Sequence, residues 1–285
     1  MEKITVRDII KMKGSKKIVM ITAYDYPTAK IVDSAGVDII LVGDSLAMTI
    51  LGYPTTHGVR LRDMLRHTEA VARAKPRALI VGDMPFGSYE SSSSRAVKSA
   101  IAFVRAGAES VKLEGGSEYT DRVKAIVNAG IPVMGHIGLT PQRYLKLGGY
   151  RPRGRIIEEA RQLLLDAEAL QEAGVFSIVI EFTAAEVAKL LTRRLSIPTI
   201  CIGSGPDCDG QVLVIHDIIG LSEHTPPFAK RYVDLRKVIY DAISEYAREV
   251  RDGVFPGPEH TIVRLKEQVP LEEILGGREE EKKTS

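Results

Sequence analysis

Eight short apolar runs recur along this chain, and longer segments separate all of them except the last two. The intervening segments include amphipathic stretches such as residues 94–107 and 155–174. Near-continuous β-branched runs are typical of strands covered on both faces of a parallel sheet. The alternation predicts an α/β protein with a closed (β/α)8 TIM barrel, and an open doubly wound sheet is the alternative. The runs are residues 17–25, 37–45, 78–85, 110–116, 132–140, 177–183, 198–205 and 211–220.

Ala-Gly pairs mark the junctions between helices and strands. They open the sequences AGVD, AGAES, AGIP and AGVFS, each of which leads into an apolar run. A glycine at this place ends a helix in the left-handed conformation. We therefore expect one barrel domain over residues 1–275, with a short helix outside the barrel within residues 1–16. Residues 276–285, GGREEEKKTS, are expected to form a solvated, frayed tail.

Charge and composition exclude several classes of partner. The formal net charge of +2 leaves no electrostatic footprint for nucleic acid. No run reaches the ~20 apolar residues that span a bilayer, and the charged N-terminus lacks the apolar region of a signal peptide. These features predict a cytoplasmic protein without membrane or nucleic-acid partners. The two cysteines, Cys201 and Cys208, are too few for a disulfide scaffold, and we expect reduced, buried thiols.

Acidic residues end five of the eight runs: Asp25, Asp44, Asp83, Glu114 and Glu181. In a parallel barrel these ends meet on one face, where active sites lie. Several carboxylates at one mouth raise each other's pKa unless a cation neutralises them. Mg²⁺ suits such oxygen ligands, because it takes one or two carboxylates and keeps positions for water and substrate. Mn²⁺ and Co²⁺ stay open on ligand type.

Each residue also has a structural interpretation. A single acid after a strand is more often a helix cap or turn residue than a ligand, and Asp25 can cap the helix that begins at residue 26. Ser45 and His136 also lie at strand ends, where either can serve a structural role. Lys112 and Glu114 are two residues apart, so on a strand both point to the same side. An inward pair of this kind is costly unless it serves a function, which favours Lys112 as a site residue.

Several motifs in fixed order are specific when taken together. The sequences VGDSLAMTILGYPTT, VKLEGG and GHIGLTPQ resemble signatures of the ketopantoate hydroxymethyltransferase family. The resemblance covers most of residues 17–235. Its matching segments are residues 20–29, 42–56, 63–71, 81–89, 96–116, 131–142, 147–155 and 208–221.

The resemblance implies a (β/α)8 barrel and a defined reaction. Members move a one-carbon unit from 5,10-methylenetetrahydrofolate, or a related pterin, to 3-methyl-2-oxobutanoate. The product is 2-dehydropantoate, and the reaction is the first committed step toward pantothenate and coenzyme A. Mg²⁺ stabilises an enolate of the oxoacid in this scheme. The resemblance also implies a homo-oligomer, and family members include decamers.

Position by position, the resemblance assigns roles to seven residues. The substrate-binding positions include the two metal ligands together with Ser45, Lys112 and His136, the last near the new hydroxymethyl oxygen. The assigned metal ligands are Asp44 and Asp83, with Glu114 holding the metal directly or through water, and the catalytic base is Glu181.

Two rival functions have different sequence requirements. One is another Mg²⁺-dependent enolate enzyme, a carbon–carbon lyase resembling the isocitrate lyase and phosphoenolpyruvate mutase group. Such lyases usually carry a KKCGH-like loop, and residues 110–145 contain no cysteine. The other is a catalytically silent barrel that serves as a binding protein. It would tolerate loss of the strand-end acids, which are all present.

Overall fold

Eight parallel strands close into a barrel in chain order in this computed structural model, which describes residues 2–263. Each strand pairs with the next, and β1 pairs with β8. The predicted fold class is confirmed. Strands β1 to β8 are Ile18–Thr22, Ile39–Val42, Leu79–Asp83, Ser110–Glu114, Val133–Gly138, Ser177–Glu181, Thr199–Ile202 and Gly210–Leu213.

Local sequence signals fix the helix ends. Asp25 accepts a hydrogen bond from the Thr28 backbone N–H at 2.8 Å, and it therefore caps the second helix. All four Ala-Gly glycines have positive φ, as predicted for helix ends. Helices α1 to α11 are Val6–Lys11, Tyr26–Ser34, Leu46–Thr49, Leu61–Arg73, Ser93–Arg105, Thr120–Asn128, Tyr144–Leu147, Ile157–Ala173, Ala185–Arg194, Ile215–Ile218 and Leu235–Arg251. Short 3₁₀ turns are Thr56–Gly58, Ser117–Tyr119, Pro141–Arg143 and Pro258–His260.

An apolar cluster lies at the N-terminal end of the barrel. Ile9 of α1 is fully buried and belongs to the same cluster as Ile18, Ile39 and Met134 from the strands. The predicted short N-terminal helix is therefore present. It contributes an apolar side chain to the cluster at this end of the barrel.

The chain divides into two compact units, Met1–Asp234 and a second that begins at Leu235. All eight strands lie in the first unit. Helix α11 begins the second unit and contains no buried residue. The predicted domain boundary at residue 275 and the predicted tail lie outside the described residues, so both stay predictions.

Two local predictions were wrong. The predicted eighth strand ran through residue 220, but β8 ends at Leu213 and α10 starts at Ile215, because an apolar run alone does not separate strand from buried helix. The predicted free thiols form a disulfide between Cys201 and Cys208. The chain turns between β7 and β8, and the Cα atoms of Cys201 and Cys208 lie 5.8 Å apart, within disulfide range. A cysteine count does not reveal this. None of the helices in the described part of the chain is long and apolar enough to cross a membrane.

Candidate active site

All seven predicted site residues line one cavity at the C-terminal mouth of the barrel. The cavity has a volume of about 1060 Å³. The four acids among the seven residues come from four different strands. Strands β3, β4 and β6 each end in an acid, and β2 ends two residues before one. Asp25 is not among the lining residues, in agreement with its role as a helix cap. The residues brought together are Asp44, Ser45, Asp83, Lys112, Glu114, His136 and Glu181.

Asp44 and Asp83 form the centre of the charged side. Both are buried, with exposures of 5% and 2%. The Asp44 backbone N–H donates to Asp83 Oδ2 at 3.1 Å. Lys112 Nζ lies 2.8 Å from Asp83 Oδ1, since β3 and β4 pair Asp83 with Lys112. The pair is thus held by the backbone and by one cation.

The pKa values of both aspartates are raised, first by burial. Burial raises the pKa of Asp44 well above its ordinary value, and the charges of Asp83 and Glu114 raise it further. Burial also raises the pKa of Asp83, although Lys112 opposes the shift. Burial lowers the pKa of Lys112, but the surrounding carboxylates outweigh burial and the net shift is upward. A divalent cation would relieve the repulsion between these carboxylates.

His136 lies between two of the acids. Its Nδ1 lies 3.4 Å from Glu114 Oε1, and its Nε2 lies 3.2 Å from Glu181 Oε2. Burial and Lys112 lower the pKa of His136, but Glu114 and the contact with Glu181 raise it to about 9. Lys112 Nζ also lies 3.3 Å from Nδ1, so this ring nitrogen is close to both a cation and a carboxylate. Burial raises the pKa of Glu114, but His136, Lys112 and the Gln142 backbone N–H bring it below its ordinary value.

Ser45 lies at the start of α3, next to Asp44 in sequence. Its hydroxyl shares a 2.8 Å hydrogen bond with the hydroxyl of Tyr24, a buried residue whose pKa burial raises to about 12. Ser45 is half-buried and faces the cavity. Its hydroxyl is thus fixed by a neutral phenol.

Gln142 joins the acidic residues and was missed as a site residue by sequence reasoning. Its side-chain Nε2 donates to Asp44 Oδ2 and to the Met84 carbonyl, both at 2.9 Å. Its backbone N–H donates to Glu114 Oε2 at 3.0 Å. Tyr89 donates to its Oε1 at 2.7 Å. A glutamine in a turn after a strand is usually solvated, so sequence type alone gave no signal beyond its place in the GHIGLTPQ motif.

The pair Asp44 and Asp83 fits a hard divalent cation. Asp83 Oδ1 is buried and accepts no hydrogen bond, despite its ion pair with Lys112. Glu114 is engaged by Gln142 and His136, which favours contact with a metal through water over direct ligation. Within residues 2–263, no three His, Cys, Asp or Glu side chains stand together as a ready metal cluster. Two carboxylates with water and substrate oxygens suffice for Mg²⁺.

A closed parallel barrel with buried, paired ionisable groups at its C-terminal mouth is the architecture of a (β/α)8-barrel enzyme. The family model of ketopantoate hydroxymethyltransferase matches residues 3–258. The chain is 67% identical over 273 residues to the 3-methyl-2-oxobutanoate hydroxymethyltransferase of Aeropyrum pernix, covering 96% of this chain and 98% of that protein. The protein of the same name from Ignicoccus hospitalis is 65% identical over 258 residues, covering 90% and 98%. The chain belongs to the ketopantoate hydroxymethyltransferase family and is a transferase.

Solved structures of distant proteins share the fold. A phosphonopyruvate hydrolase is 14% identical, with a TM-score of 0.61 over 96% of this chain and 95% of that one. An oxaloacetate acetylhydrolase in complex with its product oxalate is 16% identical, with a TM-score of 0.58 over 90% of each chain. At these identities the likeness concerns the barrel alone. The predicted family is confirmed by the close relatives, which favours the transferase over the lyase and the silent barrel.

Proposed function

We propose that this enzyme transfers a hydroxymethyl group to 3-methyl-2-oxobutanoate and forms 2-dehydropantoate. The proposed donor is 5,10-methylenetetrahydrofolate or a related pterin, and the reaction would be the first committed step toward pantothenate and coenzyme A. The names of the close relatives support the reaction. The observation that carries the proposal is the shared cavity, in which Glu181 lines the same space as Asp44, Asp83 and Lys112.

Asp44 and Asp83 would hold Mg²⁺, and Glu114 would reach it through water. When bound, Mg²⁺ supplies positive charge beside the oxoacid's keto group, which acidifies the hydrogen on C3. Lys112 adds a fixed positive charge beside the same substrate oxygens. Ser45 presents its hydroxyl on the same side of the cavity. These residues orient the oxoacid and stabilise negative charge on it.

Glu181 would remove the C3 proton as the general base. Its side chain is 16% exposed within the cavity, so it is accessible to substrate, and its Oε2 lies 3.2 Å from His136 Nε2. The electron pair left on C3 then forms the bond to the methylene carbon as the bond from that carbon to N10 of the donor breaks. Water replaces N5 on the same carbon and supplies the hydroxyl oxygen. The proton taken from C3 and the second hydrogen of that water go to the two donor nitrogens, and tetrahydrofolate leaves. His136 lies beside Glu181, where it can donate to the new hydroxymethyl oxygen.

Product formation by the purified full chain tests this proposal. With 3-methyl-2-oxobutanoate, Mg²⁺ and 5,10-methylenetetrahydrofolate, we expect 2-dehydropantoate by mass spectrometry, and none when the metal is chelated. Tetrahydromethanopterin-type donors form a parallel arm. Cleavage of a 2-hydroxy or 2-oxo diacid without product in either donor arm would favour a lyase instead. The homo-oligomer and the cytoplasmic location stay predictions.

A further inference from the structure

The mouth cavity is larger than the oxoacid requires. The eight non-hydrogen atoms of 3-methyl-2-oxobutanoate fill about 240 Å³ if each takes the ~30 Å³ of a liquid water molecule. The cavity has about 1060 Å³. The remaining space is bounded by a second wall, which we call the β6–β8 wall. It consists of Phe182, His216, Asp217, Ser222 and Phe228.

Two aromatic rings form the apolar part of the β6–β8 wall. The ring centroids of Phe182 and Phe228 lie 5.4 Å apart at an interplanar angle of 51°. Phe228 packs directly over Gly203, where a Cβ atom would lie only 2.7 Å from its ring. The end of β7 thus leaves room for this ring and for no side chain beneath it.

Phe182 directly follows Glu181, the proposed base, and its backbone is strained. Its φ of +44° is left-handed, which is rare for a bulky residue and costs about 1–3 kcal/mol. The conformation is fixed by hydrogen bonds from the Phe182 N–H to Ile202 and from the Arg153 N–H to the Phe182 carbonyl. Strain of this kind persists where the surroundings fix it, and here it fixes an aromatic ring beside the reacting centre.

The polar part of the β6–β8 wall carries acceptors rather than cations. Asp217 is 6% exposed, and its Oδ1 accepts a hydrogen bond from Ser222. In the described chain, Asp217 Oδ2 accepts no protein hydrogen bond. Burial lowers the pKa of His216, so the imidazole is neutral. Lys112, which is not part of this wall, is the sole lysine or arginine among the described residues that line the cavity.

This wall therefore suits a flat, neutral ring that presents N–H donors, and it does not suit a second anion. A pterin ring has two adjacent donors, the N3–H and the 2-amino group, on one edge. A carboxylate accepts two such donors in parallel, and an oxygen already bonded to a hydroxyl keeps a free lone pair. We propose that the β6–β8 wall is the subsite for the pterin ring of the one-carbon donor. Phe182 and Phe228 lie against the ring, and Asp217 accepts hydrogen bonds from its N3–H and 2-amino edge.

The proposal rests on the function proposed above, since it identifies where the second substrate of that reaction binds. It places the methylene carbon of the donor next to Glu181 and C3 of the oxoacid. It also assigns recognition to the ring rather than to an acidic tail, because the cavity lining within residues 2–263 includes no second lysine or arginine for such a tail.

Binding of 6-methyltetrahydropterin, a ring without an acidic tail, tests the subsite. Calorimetry is performed on the full chain with Mg²⁺ and 3-methyl-2-oxobutanoate present. We expect Asp217→Asn to weaken binding by about 10- to 100-fold, because it removes a charged acceptor and adds a donor that opposes the ring. Phe228→Leu is expected to weaken binding by about 3- to 10-fold. The matched control is Asp207→Asn, at a surface carboxylate paired with Lys189, and it should change nothing.

Exchange of the C3 proton of 3-methyl-2-oxobutanoate requires no one-carbon donor, so it distinguishes loss of the pterin subsite from loss of the whole site. Retained exchange in Asp217→Asn with weakened pterin binding supports the subsite. Wild-type binding by this variant overturns it, and so does joint loss of exchange and binding in a folded protein, which would make Asp217 a structural residue. If Asp217→Asn does not fold, Phe228→Leu decides by the same two measurements. If the wild type neither exchanges the proton nor forms product, the proposed function is wrong. Binding of 6-methyltetrahydropterin to wild type and variants still tests whether the β6–β8 wall is a pterin subsite.

Discussion

The two ends of this barrel are built from the same eight strands but differ in chemistry. At the N-terminal end, Ile9 of α1 is buried with Ile18, Ile39 and Met134 in an apolar cluster. Side chains of this type stabilise the fold by about 1.5–3 kcal/mol each when fully buried. This end holds no predicted site residue.

The C-terminal end gathers its buried charges in one cavity, whereas the N-terminal end buries two acids that are each paired with a lysine. Asp44, Asp83, Lys112 and Glu114 are all at most 5% exposed. Burial raises the pKa of both aspartates, so the metal-free arrangement is electrostatically unfavourable. The apolar cluster at the N-terminal end contributes to folding, whereas the charged cavity at the C-terminal end carries the proposed chemistry. Changes at the two ends should therefore separate folding from catalysis.

The largest expected effect is on chemistry at the charged end. Glu181→Gln removes the proposed base, and general acid–base catalysis contributes about 10²–10⁴-fold. We expect the rate of C3 proton exchange to fall by that factor, with Mg²⁺ affinity and melting temperature unchanged. Proton NMR in D₂O measures the rate. Exchange at the wild-type rate would remove Glu181 from the role of base.

The next effect is on stability at the apolar end. Ile9→Ala creates a cavity in the cluster, and such changes cost about 2–5 kcal/mol. We expect a lower free energy of unfolding in denaturant titrations and an unchanged kcat under native conditions. Ile10→Ala is the matched control, because Ile10 is 40% exposed on the same helix. A large loss of kcat without loss of stability would break the separation of the two ends.

A smaller effect concerns the residue that links the acids. Gln142→Leu keeps the volume but removes the hydrogen bonds to Asp44 and Tyr89. Groups that orient metal ligands typically contribute 10- to 100-fold in affinity, so we expect Mn²⁺ binding, followed by electron paramagnetic resonance, to weaken by about that factor. Gln162→Leu, on the surface of α8, is the control. Unchanged Mn²⁺ affinity would show that Gln142 only packs.

The smallest effect is a gain in stability. Burial, then Asp83 and Glu114, raise the pKa of Asp44 above its ordinary value of 3.8. A group with a raised folded-state pKa contributes its full stability below the unfolded value and loses it as pH rises through the folded value. In chelator at pH 8, Asp44→Asn should therefore be more stable than wild type by about 1 kcal/mol, and the gap should close near pH 4. A variant less stable than wild type at pH 8 would contradict this.

The sequence predicted the barrel and the acids because both depend on local patterns. Alternating runs specify strands and helices, and the ends of parallel strands meet at one face, so Asp44, Asp83 and Glu181 could be grouped. Position at a strand end did not separate Asp25 from them, since a capping aspartate has the same sequence signature.

Other features depend on contacts between distant segments. The Gln142 hydrogen bonds span up to 98 residues of chain, and no local pattern marks them. The Cys201–Cys208 disulfide joins residues only seven apart, but it depends on the turn between β7 and β8, which a cysteine count does not reveal. Phe182 and Phe228 meet only because the segment after α10 returns to the mouth of the barrel.

Proton exchange at C3 of 3-methyl-2-oxobutanoate by the wild-type enzyme is the most direct test of how the charged end works. The oxoacid is incubated in D₂O with enzyme and no one-carbon donor, with Mg²⁺ or with chelator. We expect deuterium at C3 when Mg²⁺ is present and at least a hundredfold slower uptake in chelator. Equal uptake with and without the metal would show that the buried carboxylates do not act through a cation.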